Sequence, residues 1–365
     1  MPSSTSNSEN NADMSRYDRA LPGDSIGLAA LIGLLVMIVM MSGWEMYWRS
    51  DGSTPSYRNS EGLWAIQRRR VNEIEGDKTV LAGSSRMYFN TQLDVWERVS
   101  GERPIQLSLE GTSPISLMED LAEDPDMTGT LLVGVAGEMF FTGFEYRGGA
   151  FERFEKETPT QWLGQQISML VEPYLAFYQY DYSLFTVIKR QPFPRREGVF
   201  FEMDVRRLAM YSKDRNARLY SKVETDSEYA ELAKEIWAQF YRPIEELSEE
   251  ERAEGLENHN KQIDRAVAAT KKLQERGVEV IFVRHPFEGI YDIIEPMYFP
   301  RADSWDVLIE QSGALGVHWQ DHEELQGFWL PESSHLAADD SDRFTKALYE
   351  VIDRERMKSN IGGRE

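Results

Sequence analysis

The 365-residue chain is long enough for one large domain or two small ones, and its 41% of hydrophobic residues can form a sizeable core. Its formal net charge of −22 disfavours nucleic acid as a partner, because an acidic surface repels a phosphate backbone. The chain contains no cysteine, which excludes disulfides, thiolate catalysis and cysteine metal sites.

The N-terminal part contains one strongly apolar segment. Residues 1–25 are polar and rich in serine and asparagine, which predicts a disordered cytoplasmic tail. The next 19 residues, Ile26–Trp44, carry no charge and span about 28 Å as a helix, close to the thickness of a bilayer core. Aromatic residues typical of a membrane interface follow at Trp44, Tyr47 and Trp48. We therefore predict a transmembrane helix over 26–48, with a buried core helix and a cleaved signal peptide as the alternatives.

The charges around this segment do not orient it. Arg16 and Arg19 precede it, and Arg49 and Arg58 follow it at similar distances. The short N-terminus favours a tail that stays inside and a C-terminal part that is exported. We expect a single-pass protein of a bacterial inner membrane with its C-terminal domain in the periplasm.

Beyond the span, residues 49–75 are predicted to form a juxtamembrane linker and a helix over Glu61–Asn72. Residues 76–355 then alternate between short apolar runs and helical patterns, which is typical of a parallel sheet covered by helices on both faces. Strands are predicted at Lys78–Ala82, Pro104–Leu109, Thr130–Ala136, Val278–Arg284 and Val317–Asp321. Helices are predicted at Thr91–Val99, Ile115–Leu121, Ala230–Arg276 and Trp305–Ser312.

A long insertion, at about 140–256, separates the third predicted strand from the fourth. It is rich in aromatic residues, and its stretch Gln161–Ile188 has the periodicity of one or two amphipathic helices. One interpretation is a helical cap that packs on the sheet. The other is a lid, or a groove for a glycan or an acyl chain.

Two serines follow the first predicted strand directly. Ser84 and Ser85 come after Gly83, and the carboxyl ends of parallel strands form the edge at which ligands bind. A helix that begins here places backbone amides near a developing negative charge. A serine hydroxyl becomes an effective nucleophile only when a base takes its proton.

His335 is the best candidate for that base. It lies in a polar, turn-forming stretch before a final amphipathic helix, and Glu332 precedes it by three residues. A tight turn can bring the Glu332 carboxylate to the imidazole, fix its tautomer and stabilise the imidazolium. The alternative is a histidine in a surface turn.

The other four histidines fit this role less well. His285 ends a predicted strand and is either structural or part of a pocket. His318 and His322 have a spacing that binds metal on a helix, but His318 lies in a strand-like run, so we predict no metal site. His259 lies in a polar helix and is expected to be solvated.

Together these residues resemble the SGNH, or GDSL-type, hydrolase superfamily. The first block of that family corresponds to Gly83-Ser84-Ser85, its second-block glycine to Gly111, and its last block to Glu332-x-x-His335. The third block normally contains an asparagine, whereas Gly134–Glu138 contains none. The resemblance implies a three-layer α/β sandwich with a flavodoxin-like parallel sheet. It also implies that the Ser85 and Gly111 amides form the oxyanion hole, and that no cofactor is needed.

The resemblance extends to membrane-anchored members that act in surface-polysaccharide acylation. It implies a serine acyl-ester hydrolase or O-acyltransferase that uses Ser85, His335 and Glu332 on a glycan acceptor, beside a multispanning membrane acyltransferase. Arg86 and Arg284 are candidates for substrate binding, and an ion pair with Glu138 is the alternative for Arg86. A non-catalytic assembly or glycan-binding component is the competing interpretation of the whole chain.

Overall fold

The computed structural model describes residues 25–191, 198 and 203–362, and the chain divides into two compact units, 1–53 and 54–365. The predicted tail of residues 1–25 lies outside the described residues, apart from Ser25. In chain order, the elements are α1 Ile26–Ser50, α2 Glu61–Glu73, β1 Lys78–Ala82, α3 Ser85–Asn90, α4 Leu93–Ser100, β2 Ile105–Gln106, α5 Ile115–Glu123, β3 Gly129–Gly134, α6 Gly137–Phe140, α7 Gly149–Lys156, α8 Pro159–Val171, α9 Leu184–Lys189, β4 Ala209–Tyr211, β5 Ala217–Leu219, α10 Ser221–Thr225, α11 Ser227–Ala238, α12 Glu249–Glu275, β6 Glu279–Arg284, α13 Ile290–Tyr298, α14 Trp305–Ser312, β7 Leu315–His318 and α15 Ala338–Gly362.

The first unit consists of α1 in its described part. This helix is long and apolar enough to cross a membrane, and none of its residues is buried by other parts of the chain. Its charged residues, Glu45 and Arg49, lie in the last two turns and pair with each other. The predicted apolar helix is therefore present, and it continues two residues beyond the predicted end, to Ser50.

The second unit is built on a five-stranded parallel sheet with the order β2-β1-β3-β6-β7. Because β6 and β7 are the fourth and fifth strands of this sheet, its strand order is 2-1-3-4-5, which is the flavodoxin-like order. Neighbouring strands are in continuous register; Val80 of β1, for example, pairs with Leu131 of β3, which pairs with Val280 of β6. The predicted α/β class and parallel sheet are confirmed.

Helices cover both faces of this sheet, because successive strand residues point to opposite sides. Val80 and Val133 pack in one core with α2, α5, α12 and α14, whereas Leu81 and Leu132 pack in the other with α4 and α15. The short, nearly continuous apolar runs of the strand sequences reflect this burial on both faces. Helix α2, grouped above with the juxtamembrane segment, belongs to the first of these cores through Trp64.

Several predicted elements differ in the structure; the second strand, for example, is Ile105–Gln106 and not Pro104–Leu109. The predicted helix Ala230–Arg276 is two helices, α11 and α12, because Pro243 in the connection cannot continue a helix. The last strand is Leu315–His318, and its end coincides with a 3₁₀ turn in which the His318 Nδ1 accepts the Gln320 amide at 3.2 Å.

The insertion is also not purely helical. It contains an antiparallel pair, β4 and β5, in which Met210 lies opposite Arg218. A tight turn joins the two strands, and Arg215 in it has a φ of 65°. This pair packs on Tyr88 and Phe89 of α3, so the insertion borders the helix that carries the candidate nucleophile.

Candidate active site

Glycines bring α3 close to the end of the sheet. A Cβ atom at Gly83 would lie 2.5 Å from the Met87 Cβ and 3.3 Å from the Gly134 Cα, and a Cβ at Gly134 would also lie 2.5 Å from the Met87 Cβ. These contacts are closer than side chains tolerate, so glycine is needed at both positions. The sharp turn that follows makes Ser84 the N-cap and Ser85 the first residue of α3. Because the first amides of a helix have no intrahelical partner, the Ser85 N–H is not used within α3.

The chain after β2 runs beside this turn. The Leu109 amide donates to the Gly83 carbonyl at 2.9 Å, which holds the following residues next to Ser85. Gly111 has a φ of +59°, a conformation that favours glycine, and its carbonyl accepts the Tyr146 amide at 3.1 Å. Gly111 and Ser85 line the same cavity.

The loop before α15 holds His335 against Glu332. The Glu332 Oε1 accepts both the His335 Nδ1 at 2.8 Å and the His335 amide at 2.6 Å, and its Oε2 accepts the Trp237 Nε1 at 2.6 Å. Although burial raises the pKa of Glu332, the His335 charge and these hydrogen bonds hold it below its usual value. Glu332 is therefore a carboxylate that orients the ring through Nδ1.

This loop is fixed directly to the serine helix. The Leu336 amide donates to the Asn90 Oδ1 at 2.9 Å, and Asn90 is the last residue of α3. The rings of Phe89 and His335 pack with their centroids 4.7 Å apart. These contacts hold Ser85, near the start of the second unit, and His335, near its end, at one edge of the sheet.

The remaining nitrogen of His335 is available to a substrate or nucleophile. Since Nδ1–H donates to Glu332, Nε2 carries the lone pair of the neutral ring. Nε2 is buried and has no hydrogen-bond partner among the described residues, so it is not bonded to the Ser85 hydroxyl. Ser85 and His335 nevertheless line one cavity of about 1100 Å³. Hydrogen bonds of this kind are often long in apo enzymes and tighten when substrate binds.

Arg86 and Arg284, predicted to bind substrate, lie beneath the cavity in a buried ion network and do not line it. Arg86 contacts Glu138 at 2.9 Å and Glu295 at 2.8 Å, and Arg284 donates to Glu295 and to the Val135 carbonyl. The ion pair between Arg86 and Glu138, the alternative for Arg86, is therefore present.

The two carboxylates of this network differ. Burial raises the pKa of Glu138, with the Glu295 charge adding to the effect and Arg86 opposing it. Burial also disfavours the charged form of Glu295, but Arg284 and Arg86 hold its pKa below its usual value. Glu138, from the stretch that lacks the asparagine of the SGNH pattern, reaches the cavity wall.

Three other histidines are structural. His285 is buried against Phe344, and burial together with Arg86 and Arg284 lowers its pKa to about 3. Burial likewise lowers the pKa of His318 to about 3. His259, expected to be solvated, is buried instead and lies 3.0 Å from the Ser304 hydroxyl, because α12 packs along the sheet at this point. Among the described residues, no group of three His, Asp or Glu side chains could hold a metal ion.

Sequence reasoning missed the part of the site that the insertion supplies. Trp237 from α11 bonds to Glu332, although 95 residues separate them in the chain. The cavity wall contains six arginines and only four acidic residues, although the net charge of the chain is −22. The arginines are Arg58, Arg147, Arg190, Arg206, Arg207 and Arg242. Arg58, Arg147 and Arg207 have no carboxylate partner within 4.0 Å in the described ranges.

No family model matches this chain, and no curated protein matches it either. The resemblance to the SGNH superfamily therefore stays a prediction from the sequence.

Proposed function

We propose that the chain is a membrane-anchored serine acyl-ester hydrolase or O-acyltransferase that acts on a glycan outside the inner membrane. The observation that carries this proposal is the position of Ser85 and of the His335–Glu332 pair on the wall of one cavity, with the His335 Nε2 unpartnered. The apolar helix α1 supports anchoring.

The proposed reaction begins with attack of the Ser85 Oγ on the acyl carbonyl carbon. The His335 Nε2 takes the hydroxyl proton as the new C–O bond forms, and Glu332 stabilises the imidazolium. The Ser85 and Gly111 amides stabilise the oxyanion; removal of one such donor costs roughly 10²–10³ in rate in comparable enzymes. The C–O bond to the donor alcohol then breaks, and His335 returns the proton to that oxygen. Water or a sugar hydroxyl resolves the acyl-serine by the same steps in reverse.

The cavity supports an extended polar acceptor. Its volume of about 1100 Å³ lies just above the usual range for small-molecule sites, about 300–1,000 Å³. Exposed aromatic rings on its wall, among them Phe144, Tyr146 and Phe240, offer faces on which sugar rings can stack. The arginines without carboxylate partners favour an acceptor that carries carboxylates or other anionic groups, since a guanidinium binds such groups through paired hydrogen bonds.

Replacement of Ser85 by alanine tests the nucleophile. We expect the full-length chain in detergent to react with a fluorophosphonate probe, and the Ser85→Ala variant to lose that labelling. Ser84→Ala is the matched control, because Ser84 also lines the cavity. Labelling that persists in Ser85→Ala and disappears in Ser84→Ala would remove Ser85 from this role.

Replacement of Arg147 by glutamine tests the charge of the acceptor. The Arg147 guanidinium donates to the Asn59 carbonyl next to the Glu110–Gly111 loop, so it lies near the proposed oxyanion site. We expect Arg147→Gln to raise KM about tenfold for an oligosaccharide of uronic acids, which corresponds to about 1.4 kcal/mol. For a neutral oligosaccharide of equal length KM should change little. An equal change for both substrates would mean that Arg147 only supports the loop.

A non-catalytic glycan-binding component is the second candidate. The absence of a Ser85–His335 hydrogen bond among the described residues favours it, together with the lack of the asparagine of the SGNH pattern. Turnover of an acetyl ester by the purified chain decides between the two. A protein that binds the glycan but shows no turnover, and no labelling of Ser85, belongs to the second class.

A further inference from the structure

Two helices of the insertion have most of their large apolar side chains on the outside. Helix α8 turns Gln165 inward, together with Met169, and α9 turns Thr186 inward. Large apolar residues of both helices are exposed, namely Trp162, Leu163, Ile167 and Leu170 in α8 and Leu184, Phe185 and Ile188 in α9. Leu170 is 72% exposed and Phe185 is 85% exposed. We call these seven side chains the exposed apolar set.

This arrangement reverses the usual pattern of a surface helix, which buries its apolar stripe and presents polar residues to water. Scattered apolar residues on a surface need no explanation, but a contiguous apolar patch marks an interaction site. The four exposed residues of α8 are spaced to lie on one side of that helix. Trp, Phe and Leu on one side of a helix are typical of helices that lie in a membrane interface.

Only a short segment of chain joins α1 to the residue that contacts the end of α8. Helix α1 ends at Ser50, and the Arg58 amide donates to the Glu172 Oε2 at 2.9 Å, directly after the end of α8. The Ser60 hydroxyl bonds to the Gln165 Oε1 at 2.8 Å. Arg58 comes eight positions after Ser50, and a fully extended chain covers at most about 3.5 Å per position, or about 28 Å. The covalent connection between the end of the apolar helix and Arg58 therefore cannot extend beyond about 28 Å.

We propose that the exposed apolar set inserts into the bilayer leaflet from which α1 emerges, with phospholipid as its occupant. The inference rests on the membrane span of α1 in the proposed function, and it adds a second point of attachment. A bilayer is favoured over a second copy of the chain because the short connection places lipid within reach of α8 in every copy. The apolar side chains of α8 and α9 then lie at the level of the headgroups and upper acyl chains.

The absence of cysteine allows a direct test, since each introduced cysteine is the only labelling site in the chain. Leu170→Cys and Phe185→Cys carry an environment-sensitive fluorophore in the full-length protein, reconstituted into vesicles of phosphatidylethanolamine and phosphatidylglycerol. Nitroxide-labelled acyl chains quench labels within the bilayer, and iodide quenches labels in water. Leu34→Cys in α1 is the control for a membrane position, and Lys346→Cys on the exposed side of α15 is the control for an aqueous one.

We expect the labels at positions 170 and 185 to behave like the label at position 34, with quenching by the nitroxide lipid and protection from iodide. Quenching by iodide alone, as at position 346, overturns the inference. Protection from both quenchers also overturns it, because protein and not lipid then covers the helices, as in a dimer. If the nitroxide lipid also fails to quench the label at position 34, the proposal that α1 spans the membrane is wrong as well. If the lipid quenches the label at position 34 but not those at 170 and 185, α1 is an anchor and only the second attachment is contradicted.

Discussion

Replacement of His335 by alanine is expected to lower kcat/KM for acetyl-ester hydrolysis by roughly four to six orders of magnitude, the range found when one member of a serine triad is removed. The physical reason is that His335 is the only histidine on the cavity wall of the described structure, and its Nε2 has no competing partner. Hydrolysis of p-nitrophenyl acetate by the full-length chain in detergent gives the measurement.

His322→Ala is the control for this substitution, because His322 is partly exposed and does not line the cavity. Its activity should equal that of the unaltered chain. Loss of the His335 ring also removes contacts to Phe89 and Trp237, so the melting temperature is measured for both variants. If His335→Ala keeps most of its activity while it remains folded, another base operates and the proposed mechanism is wrong.

The sheet could be predicted well from the sequence because its strands are buried on both faces. The segment Lys78–Ala82 ends in the apolar run Val80–Ala82, and β1 has the predicted bounds in the structure. The predicted helix Trp305–Ser312 also agrees, since Gly313 ends it in the left-handed conformation. The pair β4 and β5 could not be predicted in the same way. Each strand has three residues, too few to show alternation, and the charged Arg218 lies within one of them.

In the candidate site, too, contacts between residues close in sequence could be predicted, whereas contacts between distant residues could not. His335 and Glu332 lie three residues apart, so a local turn was enough to predict their contact, and the structure contains it. The partner of Glu332 on its other oxygen, Trp237, comes from the insertion, and no local pattern indicates which of nine tryptophans reaches a carboxylate. The positions of Arg86 and Arg284 depend on Glu295 from α13, so a prediction from strand ends alone placed them in the pocket.

Replacement of Glu295 by alanine is expected to lower the free energy of unfolding by about 3–5 kcal/mol, because a broken buried ion network leaves charge without compensation. Two buried guanidinium groups, those of Arg86 and Arg284, would then share the single carboxylate of Glu138. Urea unfolding of the full-length chain in detergent measures the change. Arg98→Ala is the matched control, since its pair with Asp94 is exposed and such pairs contribute about 0–1 kcal/mol.

The same substitution should also reduce activity, because the network holds both halves of the proposed catalytic pair. Arg86 follows Ser85 in α3, and its Nε donates to the hydroxyl of Ser334, the neighbour of His335, at 3.2 Å. With Glu295 absent, Arg86 loses one of its two carboxylate partners, and the serine and histidine segments lose a common support. A Glu295→Ala protein that unfolds at the same urea concentration as the unaltered chain would contradict this account. If it is destabilised but retains full esterase activity, the network stabilises the fold without positioning the site.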